Sequence, residues 1–441
     1  MNLSAAPETT QRWPLGLIAV AAIIPLIGVL NVSSAARATM SDLWFKQLLW
    51  VCAGFVAGAA VARLRTSTLE LLAYPLYTVT CILLVLVLAI GTPIKGAQRW
   101  LDLGPFNMQP SELAKLAMIL VGARYFSRFE MPGGYTLLAL LRPLNLSRPL
   151  GVIALAIYRY FHTRTKHDAA IAKGLPEIPD IDPTWLTATL VGVGVVWLAL
   201  GGLEFARGGF DPKRILAPID VVMLPFILVL IEPDLGTASI VLAVAASIIL
   251  FAGMRPRDLG VAVVGVAGVA VLAWNFVLHD YQRKRVYTFL NPEADIQGAG
   301  YHAAQSIIAV GSGELTGKGY GNGTQTQLSF LPENHTDFIF SVLGEEWGFV
   351  GGGLLILLFF TLIALMLRGA RRATDRFSAL MAVGAASMIF WHAFINIGMV
   401  IGVLPVVGVT LPLMSYGGSS MITKIIAIGF AVNAQMPRKV T

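Results

Sequence analysis

The chain has 441 residues, 56% of them hydrophobic and 13% charged. An ordinary soluble domain carries about a quarter charged residues, so a soluble globular enzyme is excluded, and collagen-like, disordered and disulfide-scaffold classes fall with it. The formal charge of +7, from 32 Lys plus Arg against 25 Asp plus Glu, sits in loops flanking apolar runs, as membrane insertion requires, and does not call for a nucleic-acid partner.

A membrane-spanning helix needs about 20 predominantly apolar residues. Such runs are predicted at 14–34, 43–62, 72–91, 111–126, 216–232, 236–253, 260–278, 338–367, 378–402 and 411–435, which makes ten. The first follows Arg12 and precedes a small-residue stretch, as a signal peptide would, but the chain leads straight into further spans, so it reads as a retained first span. Cys52 and Cys81 fall inside apolar runs and read as small buried thiols; no disulfide framework or metal motif follows. With a cytoplasmic N-terminus, the inner connections carry Arg63, Arg65, Arg255, Arg257, Arg368, Arg371, Arg372 and Arg376, and the tail adds Arg438 and Lys439. The outer connections are poorer in basic residues, so both termini are placed in the cytoplasm.

An insertion at 127–215 separates the fourth and fifth runs. It holds apolar pieces at 149–161 and 185–202, joined by a Pro-containing loop. A transmembrane hairpin would put Arg164, Lys166 and Lys173 outside, whereas a cytoplasmic insertion would leave an apolar run without lipid. The balance favours the hairpin. The expected fold is therefore an all-α polytopic membrane protein with ten core transmembrane helices and two extra ones in the insertion, forming one integral membrane domain over residues 1–441.

The outer loop, 280–337, is where chemistry is expected. Arg283, Lys284 and Arg285 lie on the side that disfavours basic residues. They suit an anionic ligand such as a phosphate, or a solvated loop neutralised by Glu293 and Asp295. Glycines from Gly298 to Gly323 let backbone turn tightly near a ligand. The run Gly311 to Gly319 resembles a P-loop only superficially, because the Gly to Gly-Lys spacing is wrong and Gly319 replaces the required Ser or Thr.

Beyond the loop, Glu333, His335, Asp337, Glu345 and Glu346 surround the start of a membrane helix. Thr336 and Asp337 read as caps, or as functional groups, since carboxylates and a His entering an apolar span are costly. Before the fourth run, Pro110 can begin a helix, Ser111 can cap it, and Glu112 and Lys115 share a face at i and i+3. Glu232 and Asp234 break two apolar runs. Ser415 to Ser420 puts two glycines and small polar residues at the head of the last span, as happens where backbone lines a cavity.

Together these segments resemble the SEDS family of polytopic cell-wall polymerases. The resemblance rests on Gly96-Ala-Gln-Arg-Trp, Gln109-Pro-Ser-Glu-Leu-Ala-Lys115, Pro233-Asp-Leu-Gly-Thr237, Gly298-Ala-Gly-Tyr-His302, Leu331-Pro-Glu-Asn-His-Thr-Asp-Phe-Ile-Phe340, Asn396-Ile-Gly-Met-Val400 and Ser415-Tyr-Gly-Gly-Ser-Ser420, in the family's order. It covers nearly all the chain except the insertion. His279-Asp-Tyr-Gln-Arg283 and the segment from Thr324 before Leu331 are similar to the elongation branch more than to the division branch.

The resemblance implies a peptidoglycan glycosyltransferase that polymerises lipid II at the outer face of the cytoplasmic membrane during cell elongation. It works with a class B penicillin-binding protein as transpeptidase and with the elongation machinery. The family's essential outer-loop aspartate matches Asp295, although Ile296 replaces the usual proline after it. Glycosyl transfer needs a base for the acceptor 4-hydroxyl and stabilisation of the departing pyrophosphate. Asp295 is the expected base, with inversion at carbon, since a retaining path wants a second carboxylate as nucleophile. Arg99, Lys115, Arg283 and Arg285 are candidates for the pyrophosphate, a task a divalent cation such as Mg could share, though no spacing identifies its ligands. Trp100, Gln109, Glu112, Asp234, His335, Asp337 and Ser415 match positions that line or shape the family's central cavity. The rival readings are a lipid II flippase, which would need access from both faces, a non-enzymatic scaffold, and the division paralogue.

Overall fold

The computed structural model describes residues 13–37, 42–94, 97–102, 104, 107–131, 133–141, 218–232, 234–276, 283, 287, 289, 299–328, 330–331 and 333–436. Asp295, Arg285 and most of the insertion lie outside the described residues. The architecture is helical, as expected. Helices α1 (Leu15–Ala35), α2 (Leu43–Arg63) and α3 (Thr66–Ile90) are followed by α4 (Pro110–Arg128) and a short α5 (Leu137–Leu141). Then come α6 (Pro218–Ile231), α7 (Leu235–Gly253), α8 (Pro256–Phe276), α9 (Ala299–Ser312), α10 (Thr324–Gln327), α11 (Ile339–Arg372), α12 (Arg376–Val400) and α13 (Gly418–Gln435). Among the described residues, six helices are long and apolar enough to cross a membrane: α1, α2, α3, α7, α11 and α12.

A small sheet was not anticipated. Strands β1 (Thr92–Ile94), β2 (Ala97–Asp102) and β3 (Asn107–Met108) form a three-stranded antiparallel sheet in the order β1-β2-β3. The pairing runs from Thr92 opposite Trp100 to Asp102 opposite Asn107. Six residues are too few to leave a clear period-2 signal between two long apolar runs.

Two compact units are distinguished. The larger comprises 1–134, 222–254 and 279–441; the smaller comprises 135–221 and 255–278. In the smaller unit, the Arg255 amide donates to the Tyr135 carbonyl at 3.1 Å and Asp258 Oδ1 accepts from the Leu137 amide at 3.0 Å, so the starts of α5 and α8 brace each other.

In the larger unit α12 is central, packing against α4, α7, α11 and α13. It is capped by Asp375, whose carboxylate accepts from the Ser378 amide and hydroxyl at 2.8 and 2.7 Å, a strong N-terminal signal. Its buried face, including Leu380, Ala385, Ala386, Met388 and Ile389, is apolar and small-sided. Helices α2 and α13 approach closely because glycines face each other: a Cβ on Gly429 would lie 2.6 Å from the Gly58 carbonyl, the small-residue packing that membrane helices favour. Asn433 Nδ2 donates to the carbonyls of Val61, Ala62 and Leu64, tying α13 to the end of α2. By contrast Phe349, Val350, Leu357 and Phe360 of α11 are exposed, as a lipid-facing surface must be.

Several local expectations are corrected. Cys52 is exposed and Cys81 half-buried on the outer surface of the helices, because their helix faces are turned away from the protein core. The last run is helical only from Gly418; residues 411–417 are irregular. Ser111 does not cap α4. Pro110 does begin that helix, but Gln109 holds the cap position without a side-chain bond, and Ser111 Oγ is buried without a partner among the described residues. Nor do Thr336 and Asp337 cap α11, whose cap position is Phe338, without a side-chain bond.

Candidate functional site

The strongest concentration of polar groups in the larger unit lies among α4, α12 and α13. Helix α4 starts at Pro110 because proline presets the first-turn dihedral and lacks only an amide hydrogen that would be unpaired there. One turn in, the i, i+3 spacing brings Lys115 Nζ to 2.7 Å from Glu112 Oε1. Both side chains are buried, at 1% and 5% residue exposure. Helix α12 adds His392, whose Nε2 is 3.0 Å from Lys115 Nζ, while its Nδ1 lies 2.7 Å from the Met388 carbonyl. A carbonyl only accepts, so Nδ1 carries the proton. An ammonium only donates, so Nε2 is bare and the ring is neutral. Helix α13 adds Thr423, which donates to Glu112 Oε2 at 2.8 Å, and Lys424, which is 1% exposed.

The spacing in the sequence identified Glu112 and Lys115. It missed His392, Thr423 and Lys424, although each carried a signal: a titratable side chain, or in Thr423 a hydroxyl beside one, in the middle of an apolar run.

A second group gathers around the break between α6 and α7. Asp234 caps α7, accepting from the Thr237 amide at 3.1 Å and its hydroxyl at 3.0 Å. Gln109 Nε2 donates to Asp234 Oδ2 at 3.2 Å, and Arg99 NH1 lies 3.8 Å from the same oxygen. Arg99 Nε also donates to the Glu232 carbonyl at 3.1 Å. Strand β2 thus delivers Arg99, and the residue before α4 delivers Gln109, onto one carboxylate. Trp100, next on β2, is half-buried and is held by its backbone, its carbonyl accepting from Thr92 Oγ1 at 3.2 Å. Glu232 is fully buried, and among the described residues neither of its carboxyl oxygens has a hydrogen-bond partner.

The third group is a staple. Ser415 Oγ donates to the Thr336 carbonyl at 2.6 Å and accepts from the Leu411 amide at 2.8 Å. The Tyr416 amide donates to the His335 carbonyl at 2.9 Å, and the two rings lie 6.0 Å apart. Asn396 Nδ2 bridges the carbonyls of Asp337 and Val409 at 2.7 and 2.6 Å. The segments 333–338 and 409–416 are thereby locked together, with Asp337 Oδ2 3.5 Å from where a Cβ on Gly408 would stand.

A clasp joins the outer loop to α11. Glu345, fully buried, accepts from Lys318 Nζ at 2.8 Å, Thr324 Oγ1 at 3.2 Å, the Gln325 and Thr326 amides at 3.0 and 3.3 Å, and Thr326 Oγ1 at 3.1 Å. The helix breaks at Gly348, with φ 64° and ψ −162°, a conformation essentially reserved for glycine. The amides of Phe349 and Val350 then donate to the loop carbonyls of Glu314 and Leu315 at 2.8 and 3.0 Å. Arg37 stacks over Tyr320 at 5.5 Å, tying in the end of α1.

The structure therefore unites Glu112 with Lys115, and Arg99 with Gln109 and Asp234. It also pairs the segments of His335, Asp337 and Ser415. Arg283 is half-buried; Arg285 and Asp295 lie outside the described residues. Among the described residues, no group of three or more His, Cys, Asp or Glu is placed to hold a metal ion.

A sequence profile described as "Cell cycle protein" and covering FtsW, RodA and SpoVE matches residues 11–157 and 209–440. The chain belongs to the FtsW/RodA/SpoVE family. The internal stretch that the family profile leaves unmatched, 158–208, falls inside the insertion.

Within this family the chain is 39% identical over 390 residues to the peptidoglycan glycosyltransferase MrdB of Escherichia coli K12, covering 88% of this chain and 84% of that protein. It is 34% identical over 388 residues to the probable peptidoglycan glycosyltransferase FtsW of Methylomonas methanica, covering 86% and 79%. Among solved structures, a chain of a peptidoglycan synthase complex described as coordinating polymerization and crosslinking superposes with a TM-score of 0.67 at 27% identity, over 97% of this chain and 98% of that one. The rod shape determining protein RodA of Thermus thermophilus gives 0.58 at 26% identity, over 98% of both chains. The chain is a multi-pass membrane protein with the helical fold of these relatives.

Proposed function

We propose that this protein is a peptidoglycan glycosyltransferase of cell elongation, polymerising lipid II into glycan strands at the outer face of the cytoplasmic membrane. The observation that carries this reading is the 39% identity over 88% of the chain with a peptidoglycan glycosyltransferase. Both termini lie in the cytoplasm, following the basic residues of the inner connections, and a class B penicillin-binding protein of the elongation machinery cross-links the product.

In this mechanism Asp295 takes the proton from the acceptor 4-hydroxyl as that oxygen attacks the anomeric carbon, and pyrophosphate leaves from the opposite side with inversion. Lys115, Arg99, Arg283 and Arg285 meet the charge that develops on the leaving group. Glu112 and His392 hold Lys115 in place by accepting two of its three hydrogen bonds. Asp234, itself held by Gln109, holds Arg99. Ser415 acts through backbone, fixing the segment that carries His335 and Asp337, and Trp100 shapes the cavity beside Arg99. A helical membrane domain suits this chemistry because the polyprenyl tail of the substrate needs an apolar surface while its pyrophosphate needs buried cations.

The test is polymerisation of labelled lipid II by the purified chain with its cognate class B penicillin-binding protein, native against Asp295→Ala. Long strands from the native complex and none from a folded, partner-bound variant are expected. Equal activity removes Asp295 as base. Absence of strands in both, with movement of lipid II across vesicles, turns the reading to a transporter.

A further inference from the structure

The mechanism above leaves one buried cation unused. Lys424 lies inside the last helix, 1% exposed, and its ammonium contacts two hydroxyls, Thr410 Oγ1 at 2.9 Å and Ser420 Oγ in a short contact. Among the described residues it has no carboxylate in ion-pair contact. The acid of this cluster, Glu112, has one oxygen on Lys115 and the other on Thr423. The remaining titratable group, His392, is neutral by its hydrogen bonds. Against two lysines there is one carboxylate, so the cluster holds one more basic group than acidic.

The placement compounds the cost. Helical side chains lean toward the N-terminus of their own helix, and the contact with Ser420 puts the Lys424 ammonium at the first turn of α13. The cap residue Gly417 has no side chain to offer, and the first helix amide with an internal acceptor is that of Met421. The preceding amides therefore point out of the helix end. A cation is thus placed at the positive end of a helix dipole, out of water, and shares the single carboxylate of Glu112 with Lys115. A lysine has three donors; the hydroxyls take two. Such a combination is offset by an anion with several acceptor oxygens.

We infer that Lys424 is a phosphate-binding residue, contacting the pyrophosphate of the polyprenyl-linked donor together with Lys115. This deepens the polymerase reading and rests on it. The lipid-linked form is favoured over a free anion because the cluster is buried among membrane helices, where the polyprenyl chain can lie.

The experiment uses the full-length chain in lipid nanodiscs, native, Lys424→Met and Lys424→Arg. Binding of undecaprenyl pyrophosphate, undecaprenol and inorganic pyrophosphate is measured, with kcat and KM for lipid II in the presence of the partner. Loss of one charge-assisted contact predicts a roughly 10- to 100-fold weaker affinity for undecaprenyl pyrophosphate in the Met variant. A raised KM, unchanged undecaprenol binding and partial recovery in the Arg variant are expected with it. The Met variant unfolds at the native temperature or above, because the basic group in excess over the single carboxylate Glu112 has been removed.

Native affinity and KM in the Met variant overturn the proposal. So does a Met variant that fails to fold, which makes Lys424 a structural counter-charge for Glu112. Equal Lys424-dependent binding of inorganic pyrophosphate overturns the assignment to the lipid-linked form. Should the native chain bind undecaprenyl pyrophosphate through Lys424 yet make no strands, Lys424 stands as a phosphate ligand and the polymerase reading is what fails.

Discussion

Lys115 Nζ donates to Glu112 Oε1 at 2.7 Å within one turn of α4, and both groups are out of contact with water. A buried pair of this kind adds little over an apolar replacement, but removing one member leaves the other without its hydrogen-bonded counter-charge. Lys115→Met is therefore expected to destabilise by about 3 to 5 kcal/mol, read as a lowered unfolding temperature. The double variant Glu112→Leu with Lys115→Met should recover most of that loss. Neither should polymerise lipid II. Recovery of activity along with stability would show that the pair only supports packing.

The Glu345 clasp leads to a different kind of prediction. Five donors from the outer loop converge on one buried carboxylate, and the loop leads back through α9 toward Asp295. Glu345→Ala should raise hydrogen exchange at the amides of Lys318, Gln325 and Thr326 and lower kcat/KM for lipid II, because the loop carries the proposed base Asp295 and the proposed phosphate contacts Arg283 and Arg285. Gly348→Ala should act similarly: its Cβ would stand 2.4 Å from the Gly317 amide nitrogen, and the left-handed φ adds a cost of about 1 to 3 kcal/mol. Unchanged exchange in both variants would mean that the loop is held by other contacts.

Glu232 is fully buried, and among the described residues neither of its carboxyl oxygens has a partner. A buried polar group without a partner costs stability, so Glu232→Leu should unfold at the native temperature or above. A markedly lower unfolding temperature in that variant would show that the carboxyl makes a stabilising contact.

Much of this was legible without coordinates, for physical reasons that differ by element. Helices α1, α2, α7 and α11 follow from apolar length, since a bilayer admits little else. The Glu112 and Lys115 pair follows from helical periodicity once Pro110 starts α4. Family motifs marked Arg99, Gln109 and Asp234 as important, but their convergence on a single carboxylate depends on β2 folding back beside the α6 to α7 break. Ser111 shows the limit of local signals: it has the right type and place for a cap, yet tertiary packing buries its hydroxyl instead.

What the residues determined alone was therefore class and periodic contact: membrane helices from hydropathy, near-neighbour pairs from spacing, and family from ordered motifs. The meeting of Lys115 with His392, of Glu112 with Thr423, and of Glu345 with a loop some 20 residues earlier belonged to the tertiary structure. Those partners sit on different elements whose relative rotation is set by packing of small apolar faces, a property no single stretch of sequence encodes.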